Sequence, residues 1–293
     1  MRTQALNPGA DTLAVLGDPV AHSLSPVMHN SAFALKEMNA VYLALRVEAP
    51  QLSAALSGAR AMGFRGVNLT VPHKEAALPL LDQVDDRAAR MGAVNTVAFG
   101  PDGRAVGYNT DGPGFLWSLR ELGDFSPAGC RALVAGAGGA ARAVVAALAE
   151  AGAERVDVVN RTHERAEAML FDLARADFAH LGQALDSRGA AEALRRADLV
   201  VNCTTRGMWP DVEGMPPLDP AGMAAGALAV DVVYRPRPTR WLAEAARHGC
   251  RTLDGLGMLA GQAAAAWEVW FGETGPALAM LAAAEQALAA RGS

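Results

Sequence analysis

Apolar positions along the chain fall into short β-rich runs separated by helix-length stretches, an alternation that predicts parallel sheets covered by helices. The implied fold class is α/β. Strands are predicted at 12–17 (TLAVLG), 40–47 (AVYLALRV) and 66–71 (GVNLTV). Between them the pattern predicts two helices, one opening with Ser25 as N-cap and Pro26 in the first helical position, the other running from Pro50. The runs AVNTVAF and RAVGYNT, joined by the turn-rich GPDG, read as one antiparallel pair in a mixed sheet.

The pattern changes at Cys130–Thr162, where a strand, a glycine turn, an alanine-rich helix and a second strand form a βαβ unit. A helix over Glu164–Arg175, strands at 197–204 and 227–234, and a helix over Thr239–His248 extend it. Two apolar helices close the chain. The expected organisation is a mixed α/β domain at 1–112, a dinucleotide-binding domain at 113–250, and carboxyl-terminal helices at 251–293. No internal repeat or low-complexity linker interrupts it.

Composition supports two domains, because 293 residues that are 51% hydrophobic hold more core material than one small domain needs. Interspersed charges summing to −5 leave no basic stripe for nucleic acid and no polybasic membrane patch. The longest uncharged apolar run, Gly255–Trp267, is too short to span a bilayer and is broken by Gln262. The opening MRTQALNPGAD has polar and turn residues where a secretory leader would be apolar. Cys130, Cys203 and Cys250 lack paired spacing, which argues against a disulfide framework or zinc knuckle and fits a reducing cytoplasm.

Gly136, Gly138 and Ala141 match the GxGxxG/A fingerprint directly after a strand and at the start of a helix. The first glycine permits the tight turn, the second lets backbone approach a pyrophosphate, and the alanine allows close helix packing. The helix amino terminus supplies N–H groups for negative charge. At the end of the second strand, where an NAD site places an acidic residue, stand Asn160, Arg161 and Thr162, with Arg165 one turn onward. Guanidiniums and neutral hydrogen-bonding groups suit a 2′-phosphate, so the loop favours NADP. The alternative is a solvated helix start, with Glu164 beside the arginines.

Polar residues also gather at strand ends in the first half. Lys74 follows a strand stopped by Pro72, at the start of a helix whose dipole disfavours an added cation. Such a lysine is either a surface charge or a catalytic group in need of a carboxylate, for which Asp111 in GYNTDGPG is the nearest good candidate. Asp111 also reads as an N-cap. Ser23 and Ser25 stand two apart at a helix entrance, a cradle for a carboxylate. Asn95 sits in an apolar strand, which costs stability unless its amide is paired. His22, His29 and His73 lack metal-ligand spacing and an acidic cluster, so no metal is expected.

In order along the chain, GDPVAHSLSPVMHN, GVNLTVPHK, GAVNT, GYNTDGPG, GAGGAARA, NRTHERA, NCTTRGM, DVVYRPRPT and GLGMLAGQ resemble the shikimate dehydrogenase family. The resemblance implies an amino-terminal substrate domain, a Rossmann-type NADP domain, and carboxyl-terminal helices returning to the first. It implies a catalytic pair of Lys74 and Asp111, and Ser23 and Ser25 on the substrate carboxylate. Thr70 and Tyr234 would assist, while Asn68, Asn95 and Gln262 would bind ring hydroxyls. Cofactor contacts would come from Gly136, Gly138, Gly139, Ala140, Ala141, Asn160, Arg161, Thr162, Arg165, Thr204, Met208, Gly255 and Met258.

The implied reaction is reversible NADPH-dependent reduction of 3-dehydroshikimate to shikimate, in aromatic amino-acid biosynthesis, by a monomer or homodimer. Two alternatives stand beside it: a quinate/shikimate dehydrogenase using NAD, and a non-catalytic NADP-binding sensor. Leu69 replaces the family's usual valine, and Trp209 in RGMWPD has no assigned role.

Overall fold

The computed structural model describes residues 6–176, 178 and 180–290. The chain divides into two compact units, one holding residues up to Thr110 and from Gln262 on, the other Asp111–Gly261. The sequence pattern places the crossings at 112/113 and 250/251. The second lies later in the structure because a helix carries no turn signal where it passes from one unit to another.

The first unit begins with β1 (Asp11–Gly17), α1 (Ser25–Leu35), β2 (Ala40–Arg46), α2 (Leu52–Ala61) and β3 (Gly66–Leu69). It continues through α3 (His73–Ala76), β4 (Gln83–Val84), α4 (Asp86–Met91), β5 (Thr96–Phe99) and β6 (Ala105–Tyr108). The six strands lie in the order β2-β1-β3-β5-β6-β4. Parallel pairing of β2, β1 and β3 gives way to β5, which is antiparallel to both β3 and β6. The single antiparallel pair expected from GPDG is therefore one of two.

Ser25 is not the N-cap of α1. That position is held by buried Leu24 with no side-chain capping bond, and Ser25 is the first helical residue. Its free N–H is satisfied instead by Oγ of Ser23 at 3.2 Å, because a hydroxyl two residues upstream reaches the same orphan donor. At the carboxyl end of the unit, Trp270 Nε1 donates to the Val97 carbonyl at 3.0 Å, and Arg65 Nε donates to the Trp270 carbonyl at 2.8 Å.

The second unit runs through α5 (Asp111–Glu121), β7 (Arg131–Ala135), α6 (Gly139–Glu150), β8 (Arg155–Val159), α7 (His163–Arg175) and β9 (Leu181–Leu185). It then adds α8 (Ser187–Leu194), β10 (Leu199–Asn202), β11 (Leu228–Asp231), α9 (Arg240–Arg247) and β12 (Arg251–Leu253). The helix α10 (Gly255–Phe271) contains the division at 261/262, and α11 (Ala277–Ala290) ends the described chain. The sheet order β12-β11-β10-β7-β8-β9 is all-parallel, and its inner strands are apolar on both faces. β9 and β12, absent from the sequence reading, are its two edges, and neither is fully buried at any position.

Candidate active site

In the first unit, a buried chain of polar groups links β2, β3, β5 and the residues after β6. The Tyr42 hydroxyl donates to Asn68 Oδ1 at 2.5 Å, and Asn68 Nδ2 donates to Thr96 Oγ1 at 2.9 Å and to the Asn95 carbonyl at 3.1 Å. Asn95 Oδ1 accepts from the Thr110 N–H at 2.8 Å and from Thr96 Oγ1 at 3.0 Å, while its Nδ2 donates to Thr110 Oγ1 at 3.0 Å. The polar group that the sequence marks as costly in an apolar strand is thus paired at both its oxygen and its nitrogen. Both donors of Asn68 are used inside the protein, so what it can offer a ligand is the second lone pair of Oδ1, suited to a hydroxyl donor.

Burial pushes the Tyr42 hydroxyl well above the ordinary tyrosine range, against a lowering effect of Ser25. The His29 ring stacks on Tyr42 with centroids 4.3 Å apart and planes within 10°. Burial holds His29 neutral, its pKa lowered to about 3, and neither ring nitrogen has a hydrogen-bond partner. It serves as an aromatic plate behind Tyr42. His73, by contrast, is anchored through Nε2 to the Val47 carbonyl at 2.8 Å. Among the described residues no three His, Cys, Asp or Glu form a group able to hold a metal ion.

Lys74 lies in the single helical turn α3, partly exposed, where the short element contributes little dipole. Its carbonyl accepts from the Val94 N–H at 2.8 Å, which ties α3 to the residue before Asn95. Thr70, just past β3, is held by its N–H to the Leu16 carbonyl at 2.9 Å. Asn95 in turn grips Thr110, the residue preceding Asp111. Asp111 is buried as the first residue of α5, and Gln262 is buried in α10.

In the second unit, Gly136 closes β7 with φ +116°, a region that favours glycine, and its N–H donates to the Val159 carbonyl at 2.8 Å. Gly138 caps α6 in extended conformation, and a Cβ there would meet no protein atom within 4 Å. The backbone is therefore open on the side from which a pyrophosphate would approach. Gly139 and Ala140 begin α6, and Ala141 is fully buried against the sheet.

Beside this turn, a groove of about 740 Å³ is lined by residues that include Asn160, Arg161, Thr162, Arg165, Thr204 and Arg206. Asn160 Nδ2 donates to the Thr162 carbonyl at 2.7 Å and shapes the loop. No carboxylate stands at the end of β8. Asp186, at the start of α8, also lines the groove, with Oδ1 accepting from the Gly189 N–H at 2.7 Å. The residues fit a phosphorylated dinucleotide: an open glycine turn leads toward a cationic groove.

The far side of the groove is set by a buried carboxylate. Asp231 Oδ1 accepts from Asn202 Nδ2 and the Val233 N–H, both at 3.0 Å, and Oδ2 accepts from Thr239 Oγ1 at 2.8 Å. Asn202 Oδ1 then receives the Thr204 hydroxyl at 2.7 Å. Burial raises the Asp231 pKa to about 6, against the effect of those hydrogen bonds. Burial, followed by the charges of Asp231 and Asp111, also pushes the Cys203 thiol upward, which leaves it unreactive.

The remaining predicted residues have varied settings. Tyr234 lies partly buried beyond β11, Met258 is buried in α10, and Met208 is exposed. Gly255 begins α10 close against the Val232 backbone, where a side chain would collide. Trp209 is exposed beneath the Arg235 guanidinium, 5.8 Å from its ring centre. Sequence reasoning missed Tyr42, Thr96, Thr110 and Asp231, each carried in a quoted strand or motif. A tyrosine, threonine or aspartate amid buried apolar neighbours was the available signal.

Comparison with known proteins adds a consistent result. Family models match at residues 15–97 (shikimate dehydrogenase substrate binding domain), 120–208 (shikimate / quinate 5-dehydrogenase) and 255–285 (shikimate 5′-dehydrogenase C-terminal domain). The chain is 50% identical to a shikimate dehydrogenase (NADP(+)) of Symbiobacterium thermophilum, over 98% of this chain and 97% of that one. It is 52% identical to a shikimate dehydrogenase (NADP(+)) of Moorella thermoacetica, over 92% of this chain and 90% of that one. A crystal structure of shikimate 5-dehydrogenase from Thermus thermophilus in complex with NADP(H) and shikimate has a TM-score of 0.86 and 44% identity, covering 95% of this chain and 100% of that one. With near-full coverage, half-identical sequence and the same order of units, the chain belongs to the shikimate dehydrogenase family.

Proposed function

We propose that this protein catalyses the reversible NADPH-dependent reduction of 3-dehydroshikimate to shikimate in aromatic amino-acid biosynthesis. The observation that carries the reading is the arginine-lined groove beside the open glycine turn, on a chain half-identical to relatives named for NADP(+). Gly136, Gly138, Gly139, Ala140 and Ala141 receive the pyrophosphate, Asn160, Arg161 and Thr162 with Arg165 receive the 2′-phosphate, and Thr204, Met208, Gly255 and Met258 complete the cofactor contacts. The bound cofactor supplies a hydride.

The chain's own residues supply binding and proton transfer. Lys74 stabilises and protonates the oxygen that gains negative charge, and Asp111 is the carboxylate that steadies this ammonium. Ser23 and Ser25 bind the substrate carboxylate, Asn68, Asn95 and Gln262 bind ring hydroxyls, and Thr70 and Tyr234 assist. The first unit is the substrate domain and the second the NADP domain. Among the described residues no helix is long and apolar enough to cross a membrane. We place the enzyme in the cytoplasm as a monomer or homodimer, a choice that light scattering decides.

The test is initial-rate oxidation of shikimate and of quinate, each with NADP and with NAD, followed by nicotinamide absorbance. Strong preference for shikimate with NADP is the expected result. Comparable rates with quinate and NAD would overturn the biosynthetic assignment, and substrate-independent binding without turnover would indicate a sensor.

A further inference from the structure

One cation in the nucleotide groove has no role in the reaction as described. Arg206 stands in the turn after β10, exposed and lining the groove together with Arg161 and Arg165. Because β10 and β8 flank β7 on opposite sides, Arg206 enters from the side of the glycine turn away from the other two arginines. Its backbone is fixed: the N–H donates to Thr204 Oγ1 at 3.2 Å, and the carbonyl accepts from Asn202 Nδ2 at 3.4 Å. Asn202 is in turn held by buried Asp231. The side chain is engaged at the surface, with Nη1 3.3 Å from Asp211 Oδ2.

An ion pair with both partners more than half exposed is weakly held. A phosphate dianion offers a guanidinium more charge and more acceptor oxygens than the single carboxylate of Asp211. We propose that Arg206 is a cofactor-selectivity residue, a third guanidinium that exchanges Asp211 for the 2′-phosphate of NADP opposite Arg161 and Arg165. This inference rests on the nucleotide reading above. It assigns Asp211 the part of a competing internal anion.

Calorimetric binding to the full chain tests it, comparing the parent with Arg206→Ala and Asp211→Asn. The probes are NADP+, NAD+, adenosine 2′,5′-bisphosphate and adenosine 5′-monophosphate, with inorganic phosphate separating a nucleotide site from a simple anion site. Arg206→Ala is expected to weaken the two 2′-phosphorylated ligands about tenfold and the other two less than about twofold. Asp211→Asn should tighten the phosphorylated pair a few-fold. Equal weakening of all four nucleotides, no weakening, or equally strong competition by inorganic phosphate would overturn the proposal. A parent that fails to distinguish NADP+ from NAD+ would overturn the underlying NADP reading as well. A parent with strong preference, unchanged in Arg206→Ala, would remove the role of Arg206 alone. Both positions are exposed, and matching melting temperatures establish that the variants fold.

Discussion

The Tyr42 hydroxyl donates to Asn68 Oδ1 at 2.5 Å, reaching past β1, which lies between the strands of these two residues in the sheet. The bond orients the Asn68 amide, whose Nδ2 then faces Thr96 and the Asn95 carbonyl. Removing it with Tyr42→Phe should cost about 1–3 kcal/mol, since a buried acceptor loses its donor. Urea unfolding measures that cost. KM for shikimate should rise with kcat less affected, because the change acts through the position of Asn68. Unaltered stability and KM would show that the network does not depend on this bond.

Lys74→Ala tests the chemistry separately. Proton transfer by a positioned side chain contributes roughly 10²–10⁴-fold, so kcat should fall on that scale. Shikimate binding, followed by fluorescence or calorimetry, should change far less, as the main interaction of Lys74 develops in the transition state. Equal turnover by variant and parent would exclude Lys74 from catalysis.

Asp231 makes stability depend on pH in a direction opposite to most carboxylates. The folded protein holds its proton up to about pH 6, whereas the unfolded chain releases it near pH 4. Between those values the folded state binds more protons, so the Asp231 contribution falls as pH rises through this window, by on the order of 2–3 kcal/mol. Asp231→Asn removes the titration while keeping the shape. Subtracting its stability profile from that of the parent should leave a downward slope between about pH 4 and pH 6 and a flat line above. A flat difference throughout would show that Asp231 titrates normally.

The two glycines of the turn should respond differently to alanine. Gly136→Ala forces an alanine to φ +116° with Cβ 3.1 Å from the Cys203 carbonyl, and about 1–3 kcal/mol of stability should be lost. Gly138→Ala meets no protein atom within 4 Å, so its melting temperature should hardly move. Its NADP+ binding should nevertheless weaken, because the added methyl projects where the pyrophosphate approaches. Unchanged affinity in Gly138→Ala would argue that the backbone does not bind there.

The inner strands of both sheets and the glycine turn were legible because they rest on local rules: runs of buried apolar residues and a backbone conformation open to glycine. The edges were not. Gln183 interrupts β9 and Arg251 opens the three-residue β12, and the pairing of both strands is set by the neighbouring strand rather than by their own hydrophobicity. The first cap was misassigned for a related reason, since Ser23 and Ser25 are equally good capping residues by type. Only the burial of Leu24 decides which one lies inside the helix.

By itself the sequence determined the class of fold, the dinucleotide turn and the set of residues able to carry the chemistry, because these depend on short-range spacing and side-chain type. Tertiary structure alone decided that Tyr42, Asn68, Asn95, Thr96 and Thr110 form one buried network and that Asp231 braces the turn bearing Thr204 and Arg206. A buried polar group must find its partner wherever folding brings one. The bonds that join one strand to another, Tyr42 to Asn68, Asn68 to Thr96 and Asn202 to Asp231, span 26 to 29 residues, beyond the reach of any local pattern.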